Sequence, residues 1–128
     1  MVDLNSLVKT ADWKSEKHAP SIEIIGEAKK EGTVIKVSVG KEIAHPNTTE
    51  HFIAWINVYF LPEGENIIHV GQFTFNAHGA STKGANASTV YTAPEATINL
   101  KTEKLGTIIA FSFCNIHGLW KNELDLKI

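Results

Sequence analysis

The only cysteine of this sequence, Cys114, is followed three residues later by a histidine, in the segment Cys114-Asn115-Ile116-His117-Gly118-Leu119-Trp120. A thiolate and an imidazole presented together make half of a transition-metal site. Six histidines occur in all: His18, His45, His51, His69, His78 and His117. Taken singly, a histidine in a β protein is more often an ordinary polar residue than a ligand, so position must separate them. His45 and His51 close the two ends of the loop His45-Pro46-Asn47-Thr48-Thr49-Glu50-His51. His18 ends the triplet Glu16-Lys17-His18, where an acid, a base and an imidazole are consecutive. His69 falls inside a strand candidate and His78 borders a Gly-rich loop, and neither has polar neighbours arranged for a metal. His18, His45, His51, His117 and Cys114 form the candidate ligand set, all near loops or strand ends, where functional side chains concentrate.

Four imidazoles and one thiolate are one donor too many for tetrahedral structural zinc, and magnesium or calcium would call for carboxylates. Iron accepts both donor types, and five ligands around an octahedral ion leave one position for a small molecule. A blue-copper site also joins a cysteine to two histidines on a β-sandwich, often with a weak axial methionine. The only methionine here is Met1, which makes a cupredoxin-like electron-transfer site the weaker alternative. An Fe(II) ion with one thiolate keeps a positive charge that favours a small anion, and Lys17 adds a second. Glu16, two residues before His18, is placed to supply a carboxylate to the oxidised ion. Equally, Glu16 and Lys17 read as a solvated charge pair such as any loop carries.

The elements that must position these residues read as strands. Gly106 to Phe113 is an apolar, β-forming run that would deliver Cys114 to a strand end, with His117 on the turn beyond. His51 to Leu61 alternates with apolar residues on both faces, as in a central strand covered on each side. Ser21 to Ile25, Gly32 to Gly40, Asn66 to Phe75, Ala96 to Lys101 and Asn122 to Ile128 complete the set. Residues 1 to 20 look mostly irregular, with room for one helical turn; Pro62 to Glu65 is a turn and His78 to Ser88 a loop. About seven short strands separated by turn signals predict an all-β, immunoglobulin-like antiparallel sandwich.

The chain of 128 residues is 43% apolar and 20% charged, with a net charge of −2. That is one domain's worth, residues 1–128, able to bury a single core. No basic stripe offers a nucleic-acid surface. No apolar run reaches membrane-spanning length, and the first residues lack the hydrophobic core of a signal peptide. A lone cysteine forms no internal disulfide, so a cytoplasmic location is expected.

Several segments, in this order and spacing, resemble the superoxide reductases: DWKSEKHAP, VGKEIAHPNTTEHFIAWI, YFLPEGE, AHGAS and CNIHGLW. The resemblance spans nearly the whole chain. With one cysteine it is to the short, one-iron (neelaredoxin-type) form, without the four-cysteine rubredoxin-like domain of longer members. It implies a mononuclear non-haem iron with His18, His45, His51 and His117 as equatorial ligands and Cys114 as the axial one. It further implies Glu16 as the sixth ligand of the oxidised state, and Lys17 as the residue that attracts superoxide and helps protonate the product. The activity implied is one-electron reduction of superoxide to hydrogen peroxide, with rubredoxin as external donor and a homotetrameric assembly.

Overall fold

The computed structural model describes residues 1–128. A four-residue helix α1 (Leu4–Leu7) and a two-residue strand β1 (Val8–Lys9) precede seven longer strands. These are β2 (Ser21–Ile25), β3 (Thr33–Ser38), β4 (Ile53–Pro62), β5 (Ile68–Thr74), β6 (Glu95–Leu100), β7 (Gly106–Cys114) and β8 (Gly118–Leu126). They form a five-stranded sheet in the order β1-β8-β7-β4-β5 and a three-stranded sheet in the order β2-β3-β6. The result is a β-sandwich, as the turn spacing predicts, antiparallel everywhere except the β1–β8 pair.

Period-two alternation decides what each strand contributes to the core. Thr33, Ile35 and Val37 of β3 face inward, against Ile56, Val58 and Phe60 of β4 and Ile108 and Ala110 of β7. Burying each large aliphatic side chain contributes about 1.5–3 kcal/mol. The same alternation continues along β7 through Ser112 to Cys114, so the thiol is the last member of the core-facing row and is 0% exposed. It lies at one end of the sandwich, where β7 turns into β8.

Three details differ from the sequence reading. β8 starts at Gly118 instead of Asn122, because Leu119 and Trp120 already pair with Phe113 and Ser112 across a tight hairpin. β1 is too short to show a period, and it joins the sheet edge through Val8 beside Leu119 and Lys9 beside Trp120. The outer face of β4 is only half-buried: Trp55 stacks on Phe113 and Tyr59 meets Phe111 edge-on, leaving an aromatic row on the sheet surface. No helix is long and apolar enough to cross a membrane.

Candidate metal centre

Cys114 and His117 are brought together by the β7–β8 hairpin. Cys114 pairs with Gly118, leaving Asn115, Ile116 and His117 as the loop. Gly118 takes φ +83°, the left-handed value that closes a three-residue hairpin and that side-chain-bearing residues rarely adopt. The turn points the His117 amide at sulfur, N–H to Sγ 3.3 Å, and brings His117 Nδ1 within 3.8 Å of the same atom.

His45 and His51 arrive on the loop between β3 and β4. Gly40 makes the exit from β3 possible: it has φ +82°, and a Cβ there would sit 2.6 Å from the His45 amide nitrogen. Thr48 and His51 close the loop on themselves, with Thr48 N–H donating to the His51 carbonyl at 2.9 Å and His51 N–H donating to Thr48 Oγ1 at 3.0 Å. Asn115 then ties loop to hairpin. Its Oδ1 accepts from Phe52 N–H at 2.8 Å, its Nδ2 donates to the Glu50 carbonyl at 2.8 Å, and its amide donates to the Phe52 carbonyl at 3.2 Å. The pairing of β4 with β7 shifts register between Ile53 and Trp55, beside Cys114, which lets the strand depart from the sheet there.

His18 enters from the segment before β2. Its carbonyl accepts from the buried Ser112 hydroxyl at 3.1 Å, and the next-but-one carbonyl, of Pro20, accepts from Asn122 Nδ2 at 2.9 Å. Trp120 covers the ring, stacked at 4.8 Å with planes 13° apart. β7 and β8 thus anchor a segment far from them in sequence.

The four imidazoles close into a ring. Centroids of neighbours lie 4.9 Å apart for His18–His45, 4.8 Å for His45–His51, 5.1 Å for His51–His117 and 4.7 Å for His117–His18. One ligand atom each from His18, His45, His51 and Cys114 falls within a common 4.8 Å. The remaining member, His117, faces His18 Nε2 through Nδ1 at 3.1 Å. Nε2 of His45 and of His51 are buried without any hydrogen-bond partner. Buried polar atoms are seldom left so, and two such nitrogens converging beside a buried sulfur are what a metal ion would satisfy.

The outward ring nitrogens are held. His45 Nδ1 donates to the Pro46 carbonyl at 2.6 Å, which leaves Nε2 as the lone-pair nitrogen. His18 Nδ1 meets the Glu16 carboxylate at 2.5 Å, and the other Glu16 oxygen accepts from the amides of His18 at 2.6 Å and Ala19 at 2.9 Å. Burial works to raise the Glu16 carboxyl, but hydrogen bonds from the His18 ring and the two amides outweigh it and hold it below the usual range. Burial pushes His45 down to about 4, with the positive charges of His18, His51 and Lys17 adding to it. Burial likewise lowers His51, assisted by His117, His18 and Lys17. Both rings are therefore neutral at pH 7, the form that ligates.

All five sequence-chosen ligands meet at one place. Glu16 sits on the outer side of His18 instead of among the converging donor atoms, and its partner is that ring, not Lys17. Lys17 makes no ion pair and lies close enough to depress His45 and His51. His69 is exposed and contacts Asn57 at 3.0 Å, and His78 is buried outside the ligand group. Ser112, Asn115, Trp120 and Asn122, which hold the candidate ligands in place, have no such role in the sequence reading. Only Asn115, a turn-former directly after the cysteine, carried a local signal.

The sequence profile described as desulfoferrodoxin matches residues 10–123. The superoxide reductase of Pyrococcus furiosus is 54% identical over 125 residues, covering 97% of this chain and 99% of that one. The neelaredoxin of Megalodesulfovibrio gigas is 51% identical over 118 residues, covering 91% of each. Among solved structures, the superoxide reductase (neelaredoxin) from Archaeoglobus fulgidus in the reduced form superposes with a TM-score of 0.91 at 55% identity. That match covers 95% of this chain and 99% of the other.

Proposed function

The chain belongs to the desulfoferrodoxin family and is a superoxide reductase, and from that premise we propose that one iron is held by His18, His45, His51, His117 and Cys114. The observation that carries this is the closed ring of four imidazoles beside a buried sulfur, with two Nε2 atoms that have no other partner. Two neutral rings with buried Nε2 atoms, a clamped third, a fourth offered through Nδ1 and one thiolate suit iron's taste for mixed nitrogen and sulfur donors. Bound there, iron supplies the single electron that, with two protons, converts superoxide to hydrogen peroxide, its potential tuned by the thiolate.

The protein's own residues do the rest. Lys17, half-exposed and unpaired, draws the superoxide anion towards the histidine ring and offers an ammonium proton to the departing product. Glu16 has two roles in this reading. It holds the His18 ring by Nδ1, and its carboxylate would be the further donor available to an oxidised ion. Trp120 and the hairpin keep the rings from turning. A rubredoxin-like donor returns the electron. Residues 1–128 act as one domain in the cytoplasm, and the half-buried aromatic row of Trp55, Tyr59, Phe111 and Phe113 offers an apolar surface for contact between copies, in the homotetramer that the family resemblance implies.

Metal analysis with rapid kinetics tests the reading. It requires about one iron per chain and a reduced form oxidised by superoxide in a single fast phase without release of oxygen. Copper in place of iron, or oxygen released in step with turnover, would overturn it.

A further inference from the structure

We infer that His78 is a positioning residue for the metal-ligand loop, a strut between the frame of the sandwich and the segment that carries His45 and His51. The inference rests on the reading of those two residues as ligands. His78 lies outside the ring of imidazoles and is 8% exposed. Its Nε2 contacts the Phe75 carbonyl at 2.6 Å, and Phe75 is itself a core residue whose amide donates to the Ala54 carbonyl of β4 at 2.9 Å. This end of the strut is fixed to the sheet.

The other end grips the loop at three points. Nδ1 of His78 faces Asn47 Oδ1 at 2.6 Å, and the amide is oriented by Nδ2 donating to the Thr92 carbonyl at 3.1 Å. Thr49 Oγ1 donates to the His78 carbonyl at 3.2 Å. Phe52 stacks on the imidazole with centroids 3.9 Å apart and planes 13° apart. Both ring nitrogens thus face oxygen atoms, one on the sheet side and one on the loop.

The gripped residues are the ligands' neighbours. Asn47 follows Pro46, whose carbonyl holds His45 Nδ1 and so aims Nε2 at the other donors. Phe52 directly follows His51. Movement of the loop against β5 would therefore rotate His45 and displace His51 together. Groups that orient ligands from outside typically change metal affinity by about 10–100-fold when removed.

Cobalt(II) titration of the metal-free protein tests this, followed by the sulfur-to-cobalt charge-transfer band. His78→Phe keeps the stack and removes both ring hydrogen bonds; Asn47→Ala removes the same contact from the loop side. Each should bind cobalt about tenfold or more weakly, with far-UV circular dichroism of the metal-free protein unchanged, and the double variant should bind no worse than the weaker single. If His78→Phe does not fold, Asn47→Ala decides alone. Wild-type affinity in the variants, within about twofold, would overturn the role of His78 while leaving the ligand set standing. A wild-type protein that binds cobalt without the sulfur band would overturn the ligand set, and the strut with it.

Discussion

The Glu16 carboxylate and the His18 imidazole meet at 2.5 Å, on the ring nitrogen that faces away from the other donors. One side chain thereby fixes the tautomer and orientation of a ligand and occupies two backbone amides that would otherwise lack a partner. Glu16→Ala should weaken binding of a divalent ion about tenfold, the lower end expected for loss of such a partner. Glu16→Gln, which retains an acceptor for the ring, should weaken it less. Cobalt affinity measures this, and equal affinity in Glu16→Ala and wild type would contradict the clamp. If Glu16 also binds the oxidised ion, either variant should alter the visible spectrum of the oxidised iron protein.

Cys114→Ser exchanges a thiolate for a hydroxyl while leaving four imidazoles. Metal should still bind, more weakly, but the absorption band arising from sulfur should vanish. A spectrum that keeps that band would remove Cys114 from the ligand set.

Lys17→Ala takes away the unpaired ammonium whose charge acts on His45 and His51. The second-order rate with superoxide should fall about tenfold, within the range of electrostatic steering, and become less sensitive to ionic strength. Iron content should not change. A variant as fast and as salt-sensitive as wild type would end the steering role.

The metal-free protein should lose stability in acid in a defined window. Burial holds His45 at about 4 in the folded state, against 6.5 for the free side chain, and His51 shifts in the same direction. As pH falls through 6.5, the unfolded chain takes up protons that the folded one refuses, so the fold loses stability until the folded His45 ring protonates near 4. Thermal melts of the metal-free protein should show a falling Tm from pH 7 to 4, and His45→Asn should flatten the curve. An unchanged slope in that variant would show that His45 does not drive the loss.

Gly40→Ala would put a Cβ against the His45 amide at a φ of +82°. The loop must shift or the strand must end differently, at a cost of about 1–3 kcal/mol. Chemical denaturation should show that loss, together with weaker metal binding, since His45 is the residue displaced. Loss of stability without any change in metal binding would mean the loop adapts elsewhere.

What could be read from the linear chain follows from what is local. Cys114 at the end of an alternating run, and a histidine on the turn beyond it, need only strand period and turn chemistry. The histidines at the ends of the β3–β4 loop stood out because loops interrupt the apolar pattern. The supports could not be read in this way. Ser112 holds the carbonyl of His18, and Asn122 that of Pro20, across about a hundred residues of chain, and an inward serine or a strand asparagine carries no mark of its distant partner. Trp120 reads as one more β-former until the fold lays His18 against it. The same holds for Glu16. Its closeness to His18 in sequence suggested a role at the metal, but only the fold places its carboxylate on the outward nitrogen.

The complete burial of the Cys114 side chain has a chemical consequence for an enzyme whose product is hydrogen peroxide. Peroxide converts accessible thiolates stepwise to sulfenic and then irreversible sulfinic acids. Here the sulfur ends the inward row of β7, beyond Ile108, Ala110 and Ser112, with a peptide N–H directed at it and no surface reachable by solvent. Peroxide in the surrounding solvent therefore has no direct access to this sulfur. Burial, not a scavenging partner, is what shields the thiol from dissolved oxidant.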